Sequence, residues 1–268
     1  MIIGHNIAAL NAHRRLMLGN AEMSKSLERL SSGRRINKAA DDAAGMAIAQ
    51  KMDAQIRGLN QASRNAMDAI SLIQTAEGAM AEINSILQRM RELAVQSANG
   101  TNTDEDRSQI QQEIDQLIEE IDRISTTIEF NTMTLLDGSQ DSLVFQVGAN
   151  AGQSITLDIA SLGSSDLGVD GIDVENDADN AISTIDDAIE KLLTERSKLG
   201  AMQNRLDHII NNLNTSSENL TAALSRIEDV DMALEMSNYT KNNIILQAAQ
   251  AMLAQANQMP QGVLQLLK

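Results

Sequence analysis

Cysteine and tryptophan are absent from this 268-residue chain, and proline occurs once, at Pro260. Only three aromatic side chains are present: Phe130, Phe145 and Tyr239. Without cysteine there is no disulfide scaffold and no thiolate metal site. A compact enzyme of this length draws much of its core from large aromatics, which bury the most area per side chain. Here Leu, Ile, Met and Ala must supply the apolar surface, which favours long helices joined along narrow seams. No run of about 18 apolar residues occurs, so no membrane-spanning helix is expected. The opening Met-Ile-Ile-Gly-His-Asn lacks a basic region followed by an apolar stretch. A cleaved signal peptide is therefore not expected, and any export would leave the N-terminus in place.

Charge is unevenly spread within a net of −16. Residues 1–40 hold seven Lys/Arg against two Asp/Glu, whereas 101–190 hold two against 21. The acidic middle is expected to face water and the basic N-terminal end to lie in another environment. No basic stripe with interleaved aromatics exists, which argues against nucleic-acid binding. The aromatic shortage and negative charge argue equally against a membrane-active amphipathic helix, which needs Lys/Arg on one face and bulky anchors on the other. Neither a Gly-rich phosphate loop nor a His-Glu-x-x-His run is present. His5 and His13 stand about two helical turns apart, too far to grip one metal, and His208 is the only other histidine. Asp41 and Asp42 point to different sides of a helix and read as helix-start acids beside the basic Arg34-Arg35 turn. No catalytic, cofactor or metal site is expected.

Hydrophobic periodicity sets the architecture. Ile110, Ile114, Leu117, Ile121, Ile124 and Ile128 follow alternating steps of four and three, a heptad seam. Thr103, with Asp106 three residues on, supplies its N-cap and first-turn acid. Upstream, Met52, Ile56, Leu59, Ala66, Ile70, Ile73, Met80, Leu87 and Ala94 keep one frame, with Ser63, Glu77 and Arg91 at polar seam positions. A helix from about Ala43 to Ala98, roughly 80 Å long, is expected, closed by Asn99-Gly100. In the last third Ile185, Ile189, Leu192, Leu199, Leu206, Ile210, Leu213, Leu220, Leu224, Ile227, Leu234, Ile245, Ala248 and Met252 share a register. At the start, Ile3, Ile7, Leu10 and Met17 form one stripe and Leu16, Met23, Leu27 and Leu30 a second, broken after Gly33. Between Phe130 and Asn176 the helical period disappears. Residues 143–147 and 154–159 read as short strands, and 161–179, rich in Gly, Ser and Asp, as an exposed loop.

Particular segments then resemble a known family. His5-Asn6-Ile7-Ala8-Ala9-Leu10-Asn11 is similar to the start of bacterial flagellins, and so is Leu27-Glu28-Arg29-Leu30-Ser31-Ser32-Gly33-Arg34-Arg35-Ile36-Asn37 followed by Asp41-Asp42-Ala43-Ala44-Gly45. Arg91 to Thr101, Gln250 to Asn257 and Val263 to Leu267 are further matches, all in the family's order. Ile2 and Gly4 depart from it, standing where a basic residue and Asn are usual. The likeness covers 1–136 and 180–268, and the long central insertion of larger flagellins is lacking.

The resemblance implies a mainly α fold: a long antiparallel helical bundle with an N- and C-terminal coiled coil and a small β-hairpin region. Residues 1–42 plus 229–268 would form a terminal coiled-coil inner-core domain. Residues 43–228 would form a helical outer-core domain, with the hairpin region at about 130–176. The implied function is structural, a secreted subunit of the extracellular bacterial flagellum that self-assembles into a helical propeller after type III export. A hook–filament junction protein is the alternative. Implied partners are other copies of the chain, an export chaperone, the filament cap, the hook-junction protein and a host Toll-like receptor. Inner-core assembly would use Ile3, Ile7, Leu10, Leu27, Leu30, Leu234, Ile245 and Met252. Arg89, Leu93 and Glu113 match family positions for contact with a Toll-like receptor, and a helix face of mixed charge there is expected to serve first in protofilament packing.

Overall fold

The computed structural model describes residues 6–140 and 142–266, with side chains as far as Met259. The elements in chain order are α1 (Ile7–Ser32), α2 (Ala43–Ser97), α3 (Asp104–Thr127), β1 (Glu129–Phe130), β2 (Met133–Thr134), β3 (Leu143–Gln146), β4 (Ser154–Leu157), α4 (Ser164–Leu167), α5 (Ala178–Glu228) and α6 (Met232–Leu266). The fold is mainly α with small hairpins, as the periodicity implies. It divides into two units, residues 1–54 with 219–268, and residues 55–218.

In the second unit α2, α3 and α5 share one core. α2 buries Ala62, Ala66, Ala69, Ile73, Ala76, Met80, Ile83, Leu87, Met90, Ala94 and Ser97, in unbroken steps of four and three. Half of that seam, from Ala66 through Ala94 in sevens, is the frame read from the sequence. The other half differs: Ala62, Ala69, Ala76, Ile83 and Met90 line the interior. Glu77 and Arg91 lie at its edges, where they meet Arg196 at 3.5 Å and Asp186 at 2.6 Å. Small alanines let neighbouring helices approach closely, so they take the interior although larger side chains stand beside them in sequence.

α3 buries Ile110, Ile114 and Ile121 as its heptad predicts, and Ile128 is its C-cap rather than its last turn. Its N-terminus carries a complete capping box: Thr103 accepts from the Asp106 N–H, and the Asp106 carboxylate accepts from the Thr103 N–H at 3.0 Å. α5 answers with Ile185, Leu192, Leu199, Leu206 and Leu213, spaced by seven and buried. Each such leucine withdrawn from water contributes roughly 2 kcal/mol.

β3 and β4 pair antiparallel, with Leu143 opposite Leu157 and Phe145 opposite Ile155. Their inward residues alternate with exposed Val144, Gln146, Ser154 and Thr156. A smaller hairpin, β1–β2, turns through Asn131 and Thr132, both at positive φ. Sequence pattern does not reveal it, because such turns are signalled by Asn-Gly or Asp-Gly, and Thr is an unusual occupant.

The expectation of an exposed loop over 161–179 needs correction. Leu162, Leu167, Val169, Ile172 and Val174 are buried. Helix side chains satisfy the backbone there. Asp122 accepts the Ser164 N–H at 2.8 Å and its hydroxyl at 2.9 Å. Lys191 Nζ donates to the carbonyl oxygens of Asp166 and Leu167 at the end of α4.

Candidate assembly surfaces

α1 and α6 run antiparallel. Asn6 donates from Nδ2 to the Ala256 carbonyl at 2.8 Å, while its Oδ1 caps α1 by accepting the Ala9 N–H. At the other end Arg29 faces the buried Glu235 carboxylate at 3.8 Å. The inner seam of α1 is Ala9, Ala12, Leu16, Gly19, Met23, Ser26 and Leu30, again in steps of three and four. That of α6 is Glu235, Tyr239, Asn242, Leu246, Ala249, Leu253 and Ala256. Leu246 packs over Gly19, where an added Cβ would sit 3.9 Å from its Cδ1.

Small and polar residues thus alternate with Leu16, Met23, Leu30, Leu246 and Leu253 along the seam, and many other large apolar residues face outward. Ile7, Leu10, Leu27, Leu234, Ile245 and Met252 are 47–73% exposed, and Leu30 is half-buried. Ile3 lies outside the described residues. The register read from α5 into Leu234, Ile245, Ala248 and Met252 does not mark the seam within the chain. α5 stops at Glu228 and α6 restarts at Met232, with Asp231 Oδ1 accepting the N–H groups of Ala233 and Leu234. α6 carries two apolar stripes: the heptad frame picks out the one through Ile245 and Met252, and the seam uses the neighbouring one through Leu246 and Leu253.

The break between α5 and α6 is tied to the turn after α1. Gly33 takes φ +71 and its carbonyl accepts the Val230 N–H at 3.0 Å. Arg35 N–H donates to the Glu228 carbonyl at 2.6 Å, and the Arg34 guanidinium meets the Glu228 carboxylate at 2.7 Å. Asp41 closes the turn. Its Oδ1 meets Lys25 at 2.9 Å, and its Oδ2 accepts the N–H groups of Lys38 and Asn37. Lys25 first, then those backbone donors, hold the Asp41 carboxyl down at about 2. These two breaks were not connected at the sequence level; the basic pair Arg34-Arg35 facing acids at 228–231 was the available signal.

On the second unit Arg89 donates through Nε and Nη2 to Glu113 Oε1 at 3.1 and 2.8 Å, and through Nη1 to Glu92 at 3.3 Å. These bonds, Glu113 foremost, raise the guanidinium pKa above its ordinary value. Arg89 and Glu113 thus form an exposed bridge from α2 to α3. Leu93, expected as a contact residue beside them, is instead 2% exposed and belongs to the core. Among the described residues no three His, Asp or Glu side chains gather as a metal site, and no helix is long and apolar enough to cross a membrane.

Family comparison matches two regions of the chain. The bacterial flagellin N-terminal helical region covers residues 3–141, and the C-terminal helical region covers 182–267. The chain belongs to the bacterial flagellin family. It is 56% identical to a flagellin of Halalkalibacterium halodurans, over the whole of both chains. It is 49% identical, again over the whole of both, to the flagellar filament 33 kDa core protein of Treponema phagedenis. Among solved structures, Bacillus cereus flagellin is 35% identical with a TM-score of 0.52, covering 60% of this chain and 94% of that one. Both helical regions that define the flagellin family therefore flank the short hairpin segment here.

Proposed function

We propose that this chain is a structural subunit of the bacterial flagellar filament, secreted and polymerised with its own copies into a helical propeller. One observation carries the reading: the α1–α6 pair closes on one face and leaves Ile7, Leu10, Leu27, Leu234, Ile245 and Met252 in water. An exposed apolar area of this kind marks an interaction surface. On this reading different faces of neighbouring copies cover it, and heterologous contacts whose rotation does not close propagate as a helical filament. Residues 1–42 with 229–268 form the inner-core domain on this reading, and 43–228 the outer-core domain.

The Arg89–Glu113 bridge is the second assembly surface, used between protofilaments and borrowed by a host Toll-like receptor, with Leu93 setting the helix spacing from below. The export chaperone engages the C-terminal end, and a filament cap protein and a hook-junction protein are further partners on this reading.

The test is electron microscopy of the purified chain after addition of short filament fragments, beside a copy lacking residues 229–268. Long filaments from the full chain and none from the truncation are expected. A full chain that stays monomeric on fresh seeds in precipitating salt would overturn the main-filament reading in favour of a junction protein.

A further inference from the structure

The chain has fourteen methionines and no cysteine, so thioether sulfur is its only sulfur chemistry. Among the described residues the methionines range from buried to exposed, with Met23, Met46, Met52, Met133 and Met202 between the extremes. Met80 and Met90 are sealed in the core of the second unit, at 1% and 0%. Met17, Met67, Met232, Met236, Met252 and Met259 are 44–65% exposed. All but Met67 lie on α1 or α6. Met232 and Met236 are one turn apart, and Met252 and Met259 continue in sevens from exposed Ile245, so each set occupies one helix face.

We infer, on the filament reading above, that Met17, Met232, Met236, Met252 and Met259 are an oxidant-responsive modification site controlling whether a subunit can join a filament. The oxidant class is a peroxide. A sulfur lone pair takes one oxygen of hydrogen peroxide, the O–O bond breaks, and the remaining oxygen leaves as water with both protons. Sulfur is oxidised by two electrons and the peroxide reduced by two. The product sulfoxide is polar and chiral where the thioether was apolar and pliable. In free subunits these sulfurs are in water and open to attack. Once a neighbouring copy covers them, a sulfoxide would be an unpaired polar group in an apolar contact. Oxidised subunits are therefore rejected at the growing end, and assembled subunits are shielded from further oxidation.

The experiment treats full-length monomer with enough hydrogen peroxide to oxidise each site partially, quenches it, and adds seeds. Peptide mass spectrometry then compares the sulfoxide fraction at every methionine in the filaments with that in the leftover monomer. Depletion of about tenfold in the filament at the five α1 and α6 sites is expected, the size of one buried polar group left without a partner. Met67 should show none, and Met80 and Met90 should remain unoxidised. Preformed filaments given the same peroxide should resist modification at the five sites. Equal sulfoxide fractions in filament and monomer, or equal depletion at Met67, would overturn the inference while leaving the filament reading intact. Untreated monomer that never elongates seeds would instead overturn the filament reading, and this inference with it.

Discussion

Gln111 holds Val174 by its backbone. The Gln111 Oε1 accepts the Val174 N–H at 2.9 Å while Nε2 donates to the Ile172 carbonyl at 2.8 Å. From α2, the buried Ser97 hydroxyl donates to the Val174 carbonyl at 2.6 Å. A segment with no ladder of its own borrows the partners of a strand from two helices, which is how apolar residues in an irregular stretch reach the core.

Gln111→Ala should therefore destabilise the second unit by roughly 1–3 kcal/mol, because it leaves a buried donor and acceptor unpaired. Urea unfolding followed by helix signal measures it, with faster amide exchange expected at Val174. An unchanged midpoint and unchanged exchange would show that the clasp contributes nothing.

Leu192 and Leu193 are neighbours with opposite fates, 0% and 49% exposed. Leu192→Ala should cost about 2–5 kcal/mol through lost burial and a cavity. Leu193→Ala should stay within about 0.5 kcal/mol. Thermal unfolding of the two variants side by side checks the helix phase of α5; equal losses would mean the phase is wrong.

Gly45 sits at the first turn of α2, where a Cβ would collide with the Asp42 carboxylate and lie 2.8 Å from Ile36 Cδ1. Asp42 caps this helix by accepting the Gly45 N–H at 2.9 Å. Gly45→Ala should displace that cap and lower stability by about 1 kcal/mol or more. If the alanine variant melted at the wild-type temperature, the closeness of this turn would be irrelevant to stability.

Asp41 brings a pH dependence. Its carboxyl titrates at about 2 in the fold against 3.8 ordinarily. A lowered carboxyl pKa stabilises the fold fully above 3.8, and that contribution disappears as pH falls through about 2. Asp41→Asn should flatten this part of the acid unfolding curve, read by circular dichroism between those limits. Superimposable acid limbs in the two proteins would exclude Asp41 as a contributor.

Much of this molecule was legible in the sequence. The isoleucines of α3 are buried where the heptad puts them, because a repeat of 3.5 keeps one face turned to a partner. Thr103 with Asp106, and the strands around Phe145 and Ile155, were readable for equally local reasons. What escaped was set by size rather than polarity. Ala62, Ala69 and Ala76 line the interior of α2, and Ala9, Ala12 and Gly19 line α1, yet alanine and glycine carry almost no hydrophobic signal. The buried apolar residues from Leu162 to Val174 follow no period, so only side chains distant in sequence, Gln111 and Ser97, reveal their place. At the candidate site, the outward residues of α1 and α6 could be named from the sequence, but which face they occupied could not. The ion pair of Arg89 with Glu113 spans 24 positions, beyond any local pattern.

The apolar residues that the α1–α6 pair leaves in water make the stability of this pair a matter of concentration. A two-helix pair whose seam alternates Leu16, Met23, Leu246 and Leu253 with Ala, Gly and Ser leaves much of its apolar surface in water, so contacts with neighbouring copies add stabilisation by mass action. Diluted, the pair should melt early and without a fixed temperature; crowded, its transition should climb with protein concentration, while the unit holding Leu192 keeps a midpoint of its own. The same chain is then pliable when alone and stiff in company, and the number of its copies nearby decides which.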